Sequence, residues 1–267
     1  PCMLRRLLVW SLILWLGACS NAAREDEADT LPVDQLYRVA QGSMENGNYD
    51  RAIRYYKRLT ARFPFGEYTE QAQLDLAWSQ YQRQDHDEAI STINRFIKTY
   101  PAHARIDYAF YLRGLINFDR NRSLIERYLP EQAGTRDQSF GRRSFNDFSE
   151  LLRRYPNSQY AGDARQRMIF LRNDMAQYEL GVARYYFRRG AYVASANRAK
   201  YLVENYQQAT QVPDALALMA QSYAALGEPD LAADAKKVLA ANAPEHPYLR
   251  GEETESGPGW LSRLWPF

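Results

Sequence analysis

Cysteine and histidine are scarce in this chain: two cysteines, Cys2 and Cys19, and three histidines, His86, His103 and His246, among 267 residues. None of the histidines has a cysteine or carboxylate at ligand spacing on a shared face, and no His-Glu-x-x-His is present, so a zinc site has no ligand set. A glycine-rich phosphate loop and a Gly-x-Ser-x-Gly elbow are missing too. The densest carboxylates, Asp85, Asp87 and Glu88, fall at a turn between predicted helices, where aspartate is expected as a cap. These absences exclude the common enzyme classes, and neither metal nor dissociable cofactor is expected.

A charge excess of one sign is also lacking, with 34 basic against 32 acidic residues. That balance gives no electrostatic case for nucleic acid. Nor is there a long hydrophobic run. The apolar stretch from Leu7 to Ala18 is about half the roughly 20 residues that a membrane-spanning helix needs.

That short stretch carries the first positive signal. It follows Arg5 and Arg6 and closes with Leu16-Gly17-Ala18-Cys19. A basic start, an apolar middle and small residues before a cysteine resemble the bacterial lipobox. The resemblance implies cleavage between Ala18 and Cys19 and covalent lipid on Cys19. The natural start is read as Met3, with residues 1–18 as signal peptide. Ser20 replaces the aspartate that resembles an inner-membrane retention signal, so the periplasmic side of the outer membrane is expected. Losing Arg5 and Arg6 would leave 32 residues of each sign and no free thiol, and the fold would rest on its core alone. The acidic, aperiodic residues up to 31 read as a tether.

From Pro32 onward the chain repeats. An aromatic ends a predicted helix before proline at Phe63-Pro64, Tyr100-Pro101 and Tyr155-Pro156, with Tyr206 and Ala243-Pro244 as weaker members. Four residues upstream of each marker stand Leu59, Phe96, Leu151, Leu202 and Leu239. Eleven upstream stand the small residues Ala52, Ala89, Ser144, Ser195 and Ala232. Twelve further back lie Ala40, Ala77, Ala183 and Ala220, with Gly114 joining if the third unit holds an insertion. Small residues at two sites about twelve apart let paired helices approach closely, as in tetratricopeptide repeats. The fold expected is all-α, a right-handed superhelical solenoid of five tetratricopeptide-like helix pairs. Residues 32–119 form the N-terminal repeats and 120–245 the C-terminal repeats, with an insertion near 120–137. A flexible tail occupies 246–267.

The sequence resembles the BamD family, the tetratricopeptide lipoproteins of the outer-membrane β-barrel assembly machinery. The resemblance is carried by Arg62-Phe-Pro-Phe-Gly-Glu-Tyr68, Gln73-Leu-Asp-Leu76, Ile106-Asp-Tyr108, Asn146-Asp-Phe-Ser149, Arg154-Tyr-Pro-Asn-Ser-Gln-Tyr160 and Asn197-Arg198. It implies a non-enzymatic scaffold for assembly and insertion of β-barrel proteins. The implied partners are a barrel subunit with POTRA domains, other lipoproteins of the complex and unfolded precursors, with the membrane reached through the lipid. It also implies docking of the POTRA region by the C-terminal repeats. Arg189, Asn197 and Arg198 are the residues assigned there, and reversing Arg198 is expected to spare the fold. A cell-wall adaptor lipoprotein remains the second reading.

Twenty tyrosines, eleven phenylalanines and five tryptophans suggest an aromatic-lined surface. In repeat proteins the first helix of each pair lines the peptide-binding face, which makes Tyr37, Trp78, Tyr108 and Tyr111 candidates for precursor segments, together with Tyr68. The alternative is an ordinary buried stripe through Leu74, Trp78 and Tyr81 at i, i+4 and i+7. The tail ends in Trp260-Leu-Ser-Arg-Leu-Trp-Pro-Phe267, more aromatic than disordered tails usually are; beside a weakly selected end, the readings are a membrane-interface anchor or a short linear motif for a partner.

Overall fold

A computed structural model describes residues 30–120 and 138–252. The signal peptide with Ala18 and Cys19, most of the insertion and the tail's aromatic end lie outside the described residues. Ten α-helices make up the described chain: α1 Val33–Glu45, α2 Tyr49–Arg62, α3 Glu67–Gln82, α4 His86–Thr99 and α5 Ile106–Arg120, then α6 Ser139–Arg154, α7 Ala161–Arg188, α8 Tyr192–Asn205, α9 Val212–Leu226 and α10 Pro229–Asn242. A 3-10 turn, Pro247–Arg250, follows. No strand occurs among the described residues, and no helix there is long and apolar enough to cross a membrane. The chain divides after Ile116 into two compact units.

The repeat register read from the sequence is the packing register. Every residue of the three columns, from Leu59 to Ala220, is buried, and so is Gly114. A buried leucine or phenylalanine contributes roughly 1.5–3 kcal/mol relative to exposure. The small residues face neighbouring helices where a longer side chain would force the axes apart. Serine serves where its hydroxyl is satisfied: Ser222 Oγ lies 3.1 Å from Ser195 Oγ.

Helix ends repeat as well. The N–H groups of Phe63, Tyr100, Tyr155, Tyr206 and Ala243 each donate to the carbonyl of the column residue four earlier, at 2.7–2.9 Å. Tyr206 does so without a following proline, so the non-helical cap itself, not proline alone, ends these helices. Between paired helices the chain turns through a left-handed residue at Gly47, Gln84, Gly190 and Gly227, with φ of 68–78°. The next N–H reaches back five residues, as Asp85 does to Gln80 at 2.9 Å. This is the Schellman closure of a helix end.

Within the first unit the core gathers Leu36, Ala40, Ala52, Tyr56, Leu59, Ala72 and Leu76 from α1, α2 and α3. In the second, Ala176, Leu180, Ala183, Ala199, Leu202 and Leu218 bind α7, α8 and α9 together. The 28 residues of α7 span about 42 Å at 1.5 Å per residue. It packs on α6, α8 and α9, meeting the last two through Ala176, Leu180, Ala183 and Phe187 of its second half.

Candidate functional site

The first unit carries an aromatic patch built on a buried carboxylate. Helix α2 stops at Phe63-Pro64, and Gly66, at φ 112°, turns the chain into α3. The Thr69 hydroxyl donates to the Phe63 carbonyl, and the N–H groups of Thr69 and Glu70 close on the Gly66 carbonyl at 3.0 and 3.1 Å. This tight joint leaves Phe65 88% exposed and Tyr68 43% exposed. Tyr68 lies ring to ring with Tyr37 of α1, centroids 5.5 Å apart, and Tyr37 meets Tyr56 of α2 at 6.0 Å.

Under these rings sits Asp75, 8% exposed. Tyr37 Oη donates to its Oδ2 at 2.8 Å, and Gln71 Nε2 to its Oδ1 at 2.8 Å. Burial pushes the Asp75 carboxyl above the usual carboxylate range, while bonds from Tyr37 and Gln71, the Arg105 charge and a bond from Tyr56 oppose the shift. Burial, then the Asp75 charge, keep the Tyr37 phenol protonated far beyond its ordinary range. Arg105 also stacks over Tyr108, its guanidinium 4.9 Å from the ring centroid. The patch therefore offers exposed rings, a hydroxyl-anchored floor and a cation at its rim. Such a surface packs apolar side chains of an extended segment and can meet a carboxylate.

Of the five aromatic candidates, the structure joins Tyr37 to Tyr68, and Tyr108 adjoins through Arg105. Trp78, half-buried, pairs with Tyr81 at 5.5 Å, and Tyr81 meets His86 at 6.2 Å. Tyr111 is half-buried on α5. Asp75, Phe65 and Arg105 escaped sequence reasoning. The signal for Asp75 was there: a lone carboxylate inside the apolar run Leu74 to Ala77, every member of which is buried.

The second unit presents a different surface. Along α8, Val193, Asn197 and Tyr201 follow at i, i+4 and i+8, all exposed. Arg189, exposed, caps the end of α7 just before. Tyr201 meets Tyr206 edge-on at 6.2 Å, and the Tyr206 phenol is pushed up to about 12, by burial first and Tyr201 second. Arg198 has a partner within the chain. Its Nη1 donates at 2.9 Å to Oε2 of Glu179, whose side chain is only 3% exposed. The residue assigned to partner docking thus also satisfies a buried carboxylate of α7, and reversing its charge is expected to cost the fold stability.

Repeated helix pairs that share one buried register, one left-handed turn and one helix-end bond define a tetratricopeptide-like helical-repeat protein. A family model described as an outer membrane lipoprotein, YfiO, matches residues 29–239. The outer membrane protein assembly factor BamD of Xylella fastidiosa (strain Temecula1) is 42% identical over 267 residues, covering 100% of this chain and 91% of its own. Its counterpart in Neisseria meningitidis serogroup A is 38% identical over 98% of this chain and all of its own. That of Vibrio cholerae is 35% identical over 88% of this chain and 96% of its own. The chain belongs to the YfiO family of outer membrane lipoproteins. Among solved structures, the TPR2AB domain of yeast Sti1 aligns at a TM-score of 0.44 and 13% identity, over 80% of this chain and 78% of that one.

Proposed function

We propose that this protein is a non-enzymatic scaffold for the assembly of β-barrel proteins into the outer membrane of a Gram-negative bacterium. The observation that carries this reading is full-length identity of 42% to a protein named for that assembly. Lipid on Cys19 would hold it to the periplasmic side. The patch around Tyr37, Tyr68 and Arg105 is the surface assigned to extended segments of unfolded precursors, because its exposed rings give contact area at low entropy cost. The α8 face, with Asn197 flanked by Val193 and Tyr201 and with Arg189 nearby, is the surface assigned to the POTRA-bearing barrel subunit. Its mixture of apolar and charged groups is that of a protein interface. Other lipoproteins of the complex complete the partner set.

Affinity purification from detergent-solubilised outer membranes tests the reading. Recovery of a large barrel protein carrying POTRA domains is expected. Recovery of muropeptides or wall hydrolases without it would overturn the assignment in favour of a cell-wall adaptor.

A further inference from the structure

The last helix ends the array with an apolar outer stripe. Leu231 and Val238 of α10 are each 46% exposed. They stand twelve and five residues before the helix-end marker Ala243. At those two positions the first three repeats carry charged pairs: Arg51 and Arg58, Glu88 and Arg95, Arg143 and Glu150. Terminal repeats ordinarily present a polar outer face to water. The fourth repeat holds Ala194 and Tyr201 at these positions, and α10, which no further repeat follows among the described residues, is apolar at both. Between Leu231 and Val238 lies Asp234, exposed, and beside Val238 lies Lys237, also exposed; neither has an ion pair among the described residues.

We infer that the chain's own C-terminal segment, Trp260 to Phe267, docks on this stripe of α10. Three observations converge. First, the route starts in place: the turn after α10 is fixed to that helix, with Lys236 Nζ 5.2 Å over the Tyr248 ring and Tyr248 and Leu249 packed beside Leu239. Second, the seven linker residues 253–259 reach up to about 25 Å. That suffices to pass round a helix about 10–12 Å across. Third, the charges match in order. On the proposed course the linker would carry Glu253 and Glu255 past Lys237, and Arg263 is the only charged side chain of residues 260–267. Arg263 would then complement Asp234, and its apolar neighbours would complement Leu231 and Val238.

Hydrogen exchange on the full chain tests this. In the wild type, amides of 229–242 should exchange at least about fivefold more slowly than in the Trp260→Ala/Trp265→Ala variant, with helical content equal in both. A Val238→Cys/Leu264→Cys variant should form a disulfide within one chain. Charge exchange supplies a third arm: Arg263→Asp should lose the protection, and adding Asp234→Arg should restore it. Equal exchange in wild type and double-alanine variant overturns the inference. So does a disulfide formed only between two chains, which would make a second copy the occupant. Vesicles of phosphatidylethanolamine and phosphatidylglycerol that bind the wild type through Trp260 and Trp265, with no protection of α10 in their absence, would assign the segment to the membrane instead.

Discussion

Arg198 and Glu179 are joined by a 2.9 Å charge-assisted bond between α8 and α7, with the carboxylate out of water and the guanidinium partly in it. Arg198→Glu places two carboxylates where one was satisfied. The half-open side of the pair moderates the cost, so about 1.5–3 kcal/mol is expected, the range for a hydrogen bond to a charged group. Urea unfolding checks it, and a midpoint equal to wild type would show that the pair does not support the fold. In a Glu179→Gln background the same reversal should cost distinctly less.

Ala89 is fully buried in the small-residue column of the second repeat. Ala89→Leu should destabilise by about 1–3 kcal/mol through overpacking. Its exposed neighbour gives the control: Glu88→Leu should stay within about 0.5 kcal/mol of wild type. Equal thermal midpoints for the two variants would refute the register.

Gln84 alone among the four left-handed turn residues is not glycine, with φ 68°. The left-handed conformation costs an L-residue roughly 1–2 kcal/mol. Gln84→Gly should therefore stabilise, by about 0.5–1 kcal/mol once the greater freedom of unfolded glycine is subtracted. A lowered denaturation midpoint would contradict this.

Asp75 makes stability depend on pH with a definite sign. Its folded-state carboxyl titrates above the unfolded one, so the folded protein binds the extra proton in the interval above about pH 4. Stability therefore falls as pH rises through that interval. Asp75→Asn should flatten this limb, as read by urea midpoints across pH 4–8. A steeper or unchanged limb in the variant would assign the dependence to another group.

Tyr68 and Phe65 separate binding from folding better than Tyr37 does. Tyr37 holds Asp75 and packs on Tyr56, so its removal reads on stability. Tyr68→Ala with Phe65→Ala should leave the unfolding midpoint within about 0.5 kcal/mol while weakening a precursor peptide about tenfold or more by fluorescence anisotropy. Unaltered binding would move the peptide site away from this patch.

What the sequence made legible were features in which one residue does one local thing. Leu59 and its counterparts are apolar because they are buried and recur because the helix pair recurs. Gly47, Gly190 and Gly227 announce their turns through the one conformation they permit. Tyr206, without its proline, was a weaker marker, although its helix ends in the same hydrogen bond. Asp75 and Glu179 stayed hidden because a buried carboxylate is intelligible only through distant partners: Tyr37 lies 38 residues away and Arg198 lies 19. For the same reason Trp78 could not be assigned to a surface. Its neighbour Tyr81 is visible by spacing, but how much of either ring meets water is a property of the assembled helices.

The 28-residue helix α7 changes how the second unit comes apart. In an ordinary array each repeat owns its two helices, and stability is close to a sum of repeats and their interfaces. Here α6 leans on the same helix whose second half seats α8 and α9. Fraying from either side must break a ladder that both sides share. Residues 139–226 should therefore open as one foldon, with a common hydrogen-exchange free energy rather than a gradient falling from repeat to repeat. A mutation under α6 would then register as faster exchange in α9.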